Sequence, residues 1–473
     1  MPPIPTGYFD AAAGLPLHPV AVEAWQAALD DGWADPGRLT GPGRRSAVLL
    51  DAAREAAAAE LGVRPDELSF LPSGSHALQA AVLGTLAGAV RPAAGSAVRL
   101  VHSAVEHSTV LRAADWHAAH GGQVVVAPVQ ATGRVELTRF LALATEPGTA
   151  TVAVLQAANH EVGSRQPVAE ANAELAAAAV PLVVDASQEL VYGEPPAAPV
   201  FSADARLWGG PAGVGLLAIR RGTRWRAPSP VDEAEHGRTT GPVSVPAIVA
   251  AAASLRAVRQ QRLEQSARLR GLVDTIRRRV PELVPDVEVL GDPVDRLPHL
   301  VTFSCLYLDG EALLTELDRH GFAVSSGSSC TSDTLAPSHV LVAMGALSGG
   351  NVRVSLHPGV TEADVQRFLA VLPAAVERVR GALHSPTSPS SPANPAGSTG
   401  QLVDSRGRRC PLPVLDLARA LPGLAIGDEL TVLADDPAAA GDLAAWCRMT
   451  GQQLVSSAAH PTGGTAYRVR RVR

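Results

Sequence analysis

The chain has 473 residues, 46% of them hydrophobic, with 40 basic side chains (Lys plus Arg), 46 acidic ones and a formal charge of −6. That is enough apolar material for one large core and a second small one. No apolar run approaches the roughly 20 residues needed to span a bilayer, Met1–Tyr8 lacks the basic start and apolar stretch of a signal peptide, and the net negative charge gives no general electrostatic reason to expect nucleic acid.

A cytoplasmic protein without membrane or nucleic-acid partners is the expectation. Its four cysteines, Cys305, Cys330, Cys410 and Cys447, are too scattered for a disulfide framework or a metal site and read as individually used thiols. There is no lysine anywhere, so all 40 basic side chains are arginine. Arginine stays protonated and cannot form a Schiff base, whereas a lysine of lowered pKa can.

In chain order, the apolar runs Leu68–Phe70, Thr151–Leu155 and Pro181–Val184 alternate with Ala-rich helical segments such as Asp51–Leu61 and Ala169–Ala179. This is the rhythm of an α/β layer fold with a mostly parallel sheet. Ser73–Leu78 (SGSHAL) follows the first of these strands and opens a helix, and the free N–H groups of Ser73, Gly74, Ser75 and His76 there would hold a phosphate. Asp185 and Gln188 in VVDASQ fall just past a buried strand end, where α/β sheets present ligand groups. A long, Arg-studded helical pattern, Val258–Val280, suits a connection to a smaller C-terminal lobe. The Pro/Ser-rich stretch His384–Gly400 buries nothing and reads as a linker. Gln401–Arg473 is long enough for a small domain, and its basic end, Tyr467–Arg473, reads as an edge strand with Tyr467 and Val469 facing inward.

Several segments occur in the order and spacing of the class V aminotransferases, and more narrowly residues 7–382 resemble cysteine desulfurases. They are YFDAAAGLPLHP around Asp10, SGSHAL, SAVEHSTV with Glu106–His107, NHEVG at Asn159–Gly163, VVDASQ, and above all SSGSSCTSDTLAPSHVL at Ser325–Leu341. The resemblance implies a pyridoxal-phosphate (fold type I) transferase fold: a large, mostly parallel sheet domain plus a small C-terminal lobe, acting as a homodimer. It implies that His107 stacks on the cofactor ring and assists proton transfer. It further implies that Asp185 pairs with the pyridine nitrogen, Gln188 contacts the phenolic oxygen, and His160 and Asn159 line the cofactor and substrate. Cys330 would be the thiol that takes sulfur from L-cysteine, and Arg353 in VRVSL would clamp the substrate carboxylate.

One pocket departs from the pattern. In cysteine desulfurases the cofactor lysine follows a histidine shortly before a Gly-Pro turn; anchored on Gly209–Gly210–Pro211, those positions hold Leu207 and Arg206. Asp204 stands where a phosphate-binding hydroxyl is expected and His76 where a threonine is usual. A carboxylate facing a phosphate is repulsive unless Arg206 or a proton compensates.

Residues 401–473 resemble TusA-type (SirA-like) sulfur carriers, with the Cys-Pro-x-Pro element at Cys410–Pro413. The resemblance implies a four-stranded sheet under two helices. With Pro411 in the first helical turn, Cys410 is expected at the N-cap, where the helix dipole favours the thiolate a persulfide needs. Cys447, in a helical pattern beside Trp446, reads as a small buried hydrophobe.

The division expected is therefore 7–382, a linker at 383–400, and 401–473. The function expected is sulfur relay from Cys330 to Cys410 and on to an acceptor protein of thiolation or cofactor biosynthesis. Two alternatives stand beside it: a pseudoenzyme scaffold that docks a separate desulfurase or acceptor, and an anion-binding module using Arg206 and Arg353.

Overall fold

A computed structural model of the chain describes residues 4–90, 96–326, 337–383 and 401–473. Cys330 and the stretch read as a linker from 384 onward lie outside these residues. The chain divides into two compact units, one built mainly from Ala11–Arg270 with Asp292–His299, the other from Pro5–Asp10, Gly271–Gly291 and Leu300–Arg473.

Counted over the described residues, the first unit holds a seven-stranded sheet. Its strands are β1 (Leu68–Leu71), β2 (Val98–Ser103), β3 (Gln123–Ala127), β4 (Ala150–Gln156), β5 (Leu182–Asp185), β6 (Val200–Asp204) and β7 (Gly215–Ile219), in the order β1-β7-β6-β5-β4-β2-β3. Only β7 runs against its neighbours; the β6-β5-β4-β2-β3 run is parallel throughout. The central strands β4, β5 and β6 are apolar and buried along nearly their whole length, as strands covered on both faces must be. Small residues let the covering helices come close. In Gly74–Gly88, a Cβ on Gly84 would lie 2.0 Å from the Trp225 indole, whose Nε1 donates to the Ala80 carbonyl at 2.9 Å.

A buried ion pair ties β1 to a distant turn. Arg54 donates from both terminal nitrogens to the Glu235 carboxylate, at 2.7 and 2.8 Å, and the Phe70 N–H donates to the same group. Glu235 sits at φ +50°, a conformation that L residues adopt at a cost, so these three bonds hold it there.

In the second unit β8 (Val287–Leu290), β9 (Leu300–Cys305) and β10 (Asn351–Ser355) form an antiparallel sheet in the order β10-β9-β8. The helix Glu362–Leu383 extends one residue into the stretch read as linker. Beyond it, β11 (Gln401–Asp404), β12 (Glu429–Ala434), β13 (Gln453–Ala459) and β14 (Thr465–Arg470) pair in the order β11-β12-β14-β13, with the helices Leu412–Ala420 and Ala439–Thr450. Tyr467 and Val469 do point into the core, but β14 is an interior strand, paired on both sides, and not the edge strand expected. Its Arg468 and Arg470 instead pair across the sheet with Glu429. The long helix read at Val258–Val280 runs from Val245 to Leu283.

Replacing Glu235 by Ala leaves the buried Arg54 uncompensated. The expected loss is about 3 kcal/mol or more of the first unit's unfolding free energy, measured by urea unfolding; a change under about 1 kcal/mol would mean that water reaches Arg54.

Candidate active site and carrier thiol

In the first unit the residues singled out in the sequence follow the carboxyl ends of parallel strands. Glu106 and His107 come after β2, Asn159 and His160 after β4, Asp185 at the end of β5 with Gln188 after it, Asp204 and Arg206 at and after β6. The end of the sheet therefore gathers them.

His107 caps the helix Ser108–Ala119, its Nδ1 accepting from the Thr109 N–H at 3.2 Å, and its ring meets that of His160 edge-on at 5.2 Å. His160 is buried, with Nε2 3.7 Å from the Glu161 carboxylate. Asn159 is fully buried and its amide braces the turn: Oδ1 accepts from the Glu161 and Val162 N–H groups, and Nδ2 donates to the Val105 carbonyl. Asp185 accepts from the Ser187 N–H at 3.0 Å, and Gln188 donates to the Ala12 carbonyl at 3.0 Å.

Glu106 has a role the motif alone does not reveal. It is fully buried, accepting through Oε1 from Ser103 Oγ and the Gln156 N–H. Burial raises its carboxyl to about 8, with the Asp185 charge adding to the rise. Near neutral pH it holds a proton, with Asp185 two strands away across β4.

The region read as a phosphate cradle is built differently. Ser73 caps the helix Gly74–Gly88, accepting from the His76 N–H at 3.1 Å, while Ser75 and His76 are exposed. Asp204 packs against the first turn: a Cβ added to Gly74 would lie 2.3 Å from Asp204 Cβ and 2.7 Å from its Oδ2. The carboxylate thus sits where the helix dipole would favour an anion. Arg206 compensates it, with Nη2 2.9 Å from Oδ2 and Nε within 3.3 Å of both oxygens. Leu207 follows in the turn Ala205–Trp208, half-buried, ahead of Gly209 at φ +70°.

In the second unit Arg353, on β10, is buried and donates to the Asp10 carboxylate at 2.7 Å. The carboxylate it meets within this unit belongs to the chain's own N-terminal signature. Its backbone pairs with Ser325 in both directions, at 2.7 and 3.1 Å, fixing the point where the Ser/Gly-rich Cys330 segment begins. Cys330 itself lies outside the described residues.

The carrier cysteine departs from expectation. Pro411, joined to Cys410 by a cis peptide, is the N-cap of the helix Leu412–Ala420, so Cys410 lies one residue outside the cap. Its N–H donates to Asp436 at 2.6 Å, and its half-buried thiol feels the charge of the Asp442 carboxylate. Burial, then the charges of Asp442 and Asp436, push the thiol well above the ordinary cysteine range. In this arrangement the thiol is held protonated, the reverse of the dipole-assisted thiolate expected at an N-cap. Asp442 went unread in the sequence, although its position could have marked it: Ala439, Asp442, Leu443 and Trp446 share one helical face, and an acid on that face must be buried. Cys447 is buried in the carrier core as expected, its thiol raised by burial to about 12.

The chain matches the family model "Aminotransferase class-V" over residues 7–368 and "Sulfurtransferase TusA" over residues 401–471. It is 36% identical over 388 residues to an IscS-like cysteine desulfurase of Mycobacterium tuberculosis, covering 79% of this chain and 97% of that protein. With the cysteine desulfurase NifS of Azotobacter vinelandii it shares 30% over 383 residues, covering 79% of this chain and 93% of that protein. A solved NifS-like protein superposes with a TM-score of 0.72 at 24% identity over 78% of this chain and 99% of that one. A cysteine desulfurase from Thermococcus onnurineus gives 0.68 at 20%, over 78% and 94%. The chain belongs to the class V aminotransferase family, with cysteine desulfurase relatives, and carries a C-terminal TusA domain.

That family implies pyridoxal phosphate. The residues present do not fit it as a covalently anchored cofactor: the chain has no lysine, and a carboxylate already paired with Arg206 occupies the first turn of the helix that would take the phosphate.

Two outcomes follow. Asp204→Ser is expected to tighten binding of added pyridoxal phosphate at least about tenfold, since like-charge juxtaposition costs one to several kcal/mol; equilibrium dialysis would show it, and an unchanged affinity would place the phosphate elsewhere. For Glu106, the folded-state pKa lies above the unfolded value, so its contribution is complete below about pH 4.5 and falls as pH rises toward 8. Glu106→Gln, which keeps the acceptor oxygen, should therefore gain stability relative to the parent by up to about 1.4 kcal/mol per pH unit across that window, read from denaturant unfolding at pH 5, 6.5 and 8.

Proposed function

We propose that the chain mobilises and relays sulfur, Cys330 receiving it and Cys410 carrying it to a downstream acceptor protein of thiolation or cofactor biosynthesis. The observation that supports this most is the joining, in one chain, of a domain with cysteine desulfurase relatives to a TusA domain whose Cys-Pro-x-Pro element is intact. The functional division is 7–382, a tether at 383–400 and 401–473. A tether of this length, about 18 residues, holds the carrier at an effective concentration in the millimolar range.

The transfer step is an exchange. The Cys410 thiolate attacks the outer sulfur of a Cys330 persulfide, a new sulfur–sulfur bond forms as the old one breaks, and Cys330 leaves as thiolate. Nothing is oxidised or reduced overall. L-cysteine is the sulfur donor by family, and the protein works as a homodimer on the same ground. Because no lysine of this chain can anchor pyridoxal phosphate, loading of Cys330 is the step that depends on what is supplied: free pyridoxal phosphate with L-cysteine, or a separate desulfurase.

Both supplies can be given to the purified full chain, with the added sulfur located by peptide mass spectrometry. Cys410→Ser should leave sulfur on Cys330, and Cys330→Ser should reduce sulfur on Cys410 by at least about tenfold, a relay step being lost whole. Undiminished loading of Cys410 in Cys330→Ser would overturn the relay and make the first domain a docking module for another desulfurase.

A further inference from the structure

The segment that carries Cys410 is pinned along its length to β12 and the turn after it. Ser405 N–H donates to the Leu433 carbonyl at 2.8 Å, Gly407 N–H to Asp435 Oδ1 at 2.8 Å, and Cys410 N–H to Asp436 Oδ2 at 2.6 Å. Side chains hold the same segment from elsewhere. Arg406 donates to the carbonyl and hydroxyl of Thr462 in the β13–β14 turn, while Ser405 Oγ and Arg408 both donate to Asp416 on the helix Leu412–Ala420.

Asp436 uses both of its oxygens. Oδ2 takes the Cys410 N–H, and Oδ1 accepts from the Ala438 N–H at 2.8 Å, at the start of the helix Ala439–Thr450. The second of these is a local turn that Asn makes as well as Asp. The first reaches across 26 positions of sequence and needs the other oxygen. An amide offers a single acceptor oxygen and would turn its own N–H groups toward one of the two donors. Two converging backbone N–H groups therefore call for a carboxylate.

That carboxylate is unhelpful to the thiol beside it. Sulfur exchange runs through the thiolate, which a neighbouring negative charge disfavours. What the carboxylate supplies is place, since one rigid group joins the cysteine backbone to the start of a second helix. Place matters for this reaction. The attacking thiolate must approach one particular sulfur of the bond it breaks, and a misplacement of about 1 Å slows such a step about a hundredfold.

We propose that Asp436 is a positioning residue of sulfur exchange: by holding the Cys410 N–H it fixes the point from which Cys410 meets a persulfide borne by another protein residue. Asp436 itself makes and breaks no covalent bond. The inference deepens the reading of Cys410 as the sulfur carrier and rests on it.

A small reagent reaches a half-exposed thiol from any open side, whereas a persulfide borne on a protein arrives in one orientation, and the test uses that difference. The full chain is offered a separate cysteine desulfurase with L-cysteine, glutathione persulfide, or iodoacetamide. Peptide mass spectrometry reads each reaction on Cys410, with the buried Cys447 reporting whether the carrier is folded. Asp436→Ala is expected to lower sulfur uptake from the desulfurase at least about tenfold. Glutathione persulfide and iodoacetamide should react at the parent rate or faster, a neighbouring charge having been removed. Asp436→Asn removes the same charge but keeps one acceptor, so its uptake from the desulfurase should fall less than in Asp436→Ala. Loss of charge alone does not produce that order.

A fall in all three reactions together overturns the positioning role, as does unchanged uptake from the desulfurase in both variants. Where Cys447 becomes labelled in Asp436→Ala, Asp436→Asn carries the comparison, and undiminished uptake there overturns the proposal. A parent chain that takes no sulfur from the desulfurase sinks the carrier reading and the role of Asp436 with it. That result is seen before any variant is made, so the two failures are told apart.

Discussion

A parallel strand ends where its neighbours end, and in the first unit that constraint arranges everything else. β2, β4, β5 and β6 run the same way, so the turns that follow them open on one end of the sheet. Glu106, Asn159, Asp185 and Asp204 are far apart in sequence and are gathered by that common direction alone. The strands are apolar and buried on both faces along most of their length, so polar chemistry falls to their last residues, such as Asp185 and Asp204, and to the turns that follow. A charged group delivered there meets little water, which is why Glu106 stays protonated near neutrality and why Asp204 needs Arg206.

Much of this is legible in the amino-acid sequence. The alternation of apolar runs with Ala-rich segments places β1, β4 and β5 close to where they fall, because strand and helix periodicities are local properties of the chain. The helix opening at Ser73 was readable for the same reason. The partners were not. That Asp10 meets Arg353, or that Glu235 meets Arg54, depends on which strand ends come together, and nothing within a few residues of either position encodes it. The carrier cysteine shows the limit from the other side. Proline spacing suggested a cap and a thiolate; the start of the helix differs by one residue, and the helix Ala439–Thr450 brings an acid to the sulfur.

The pocket of the first unit has not simply lost a residue. A decayed site would leave a hole where the lysine and the phosphate ligand had been. Here a buried aspartate and a neighbouring arginine form a bidentate pair at that spot, and Gly74 is required by their close approach. The charge balance is self-contained, so the turn is stable with nothing bound. A newcomer anion must compete with Asp204 for Arg206.

The position of β14 sets the order in which the carrier can come into being. β12 and β13 have no pairing with each other and are joined only through β14, which follows both in sequence. Until that strand emerges from the ribosome the sheet is two separate pieces, and Tyr467 and Val469 are missing from the core of this domain. The first unit is complete well before then, since domains fold from the N-terminus as they are made. A nascent chain therefore passes through a stage in which the desulfurase-like part exists without a competent carrier, and premature termination anywhere in the last strand would leave that stage permanent.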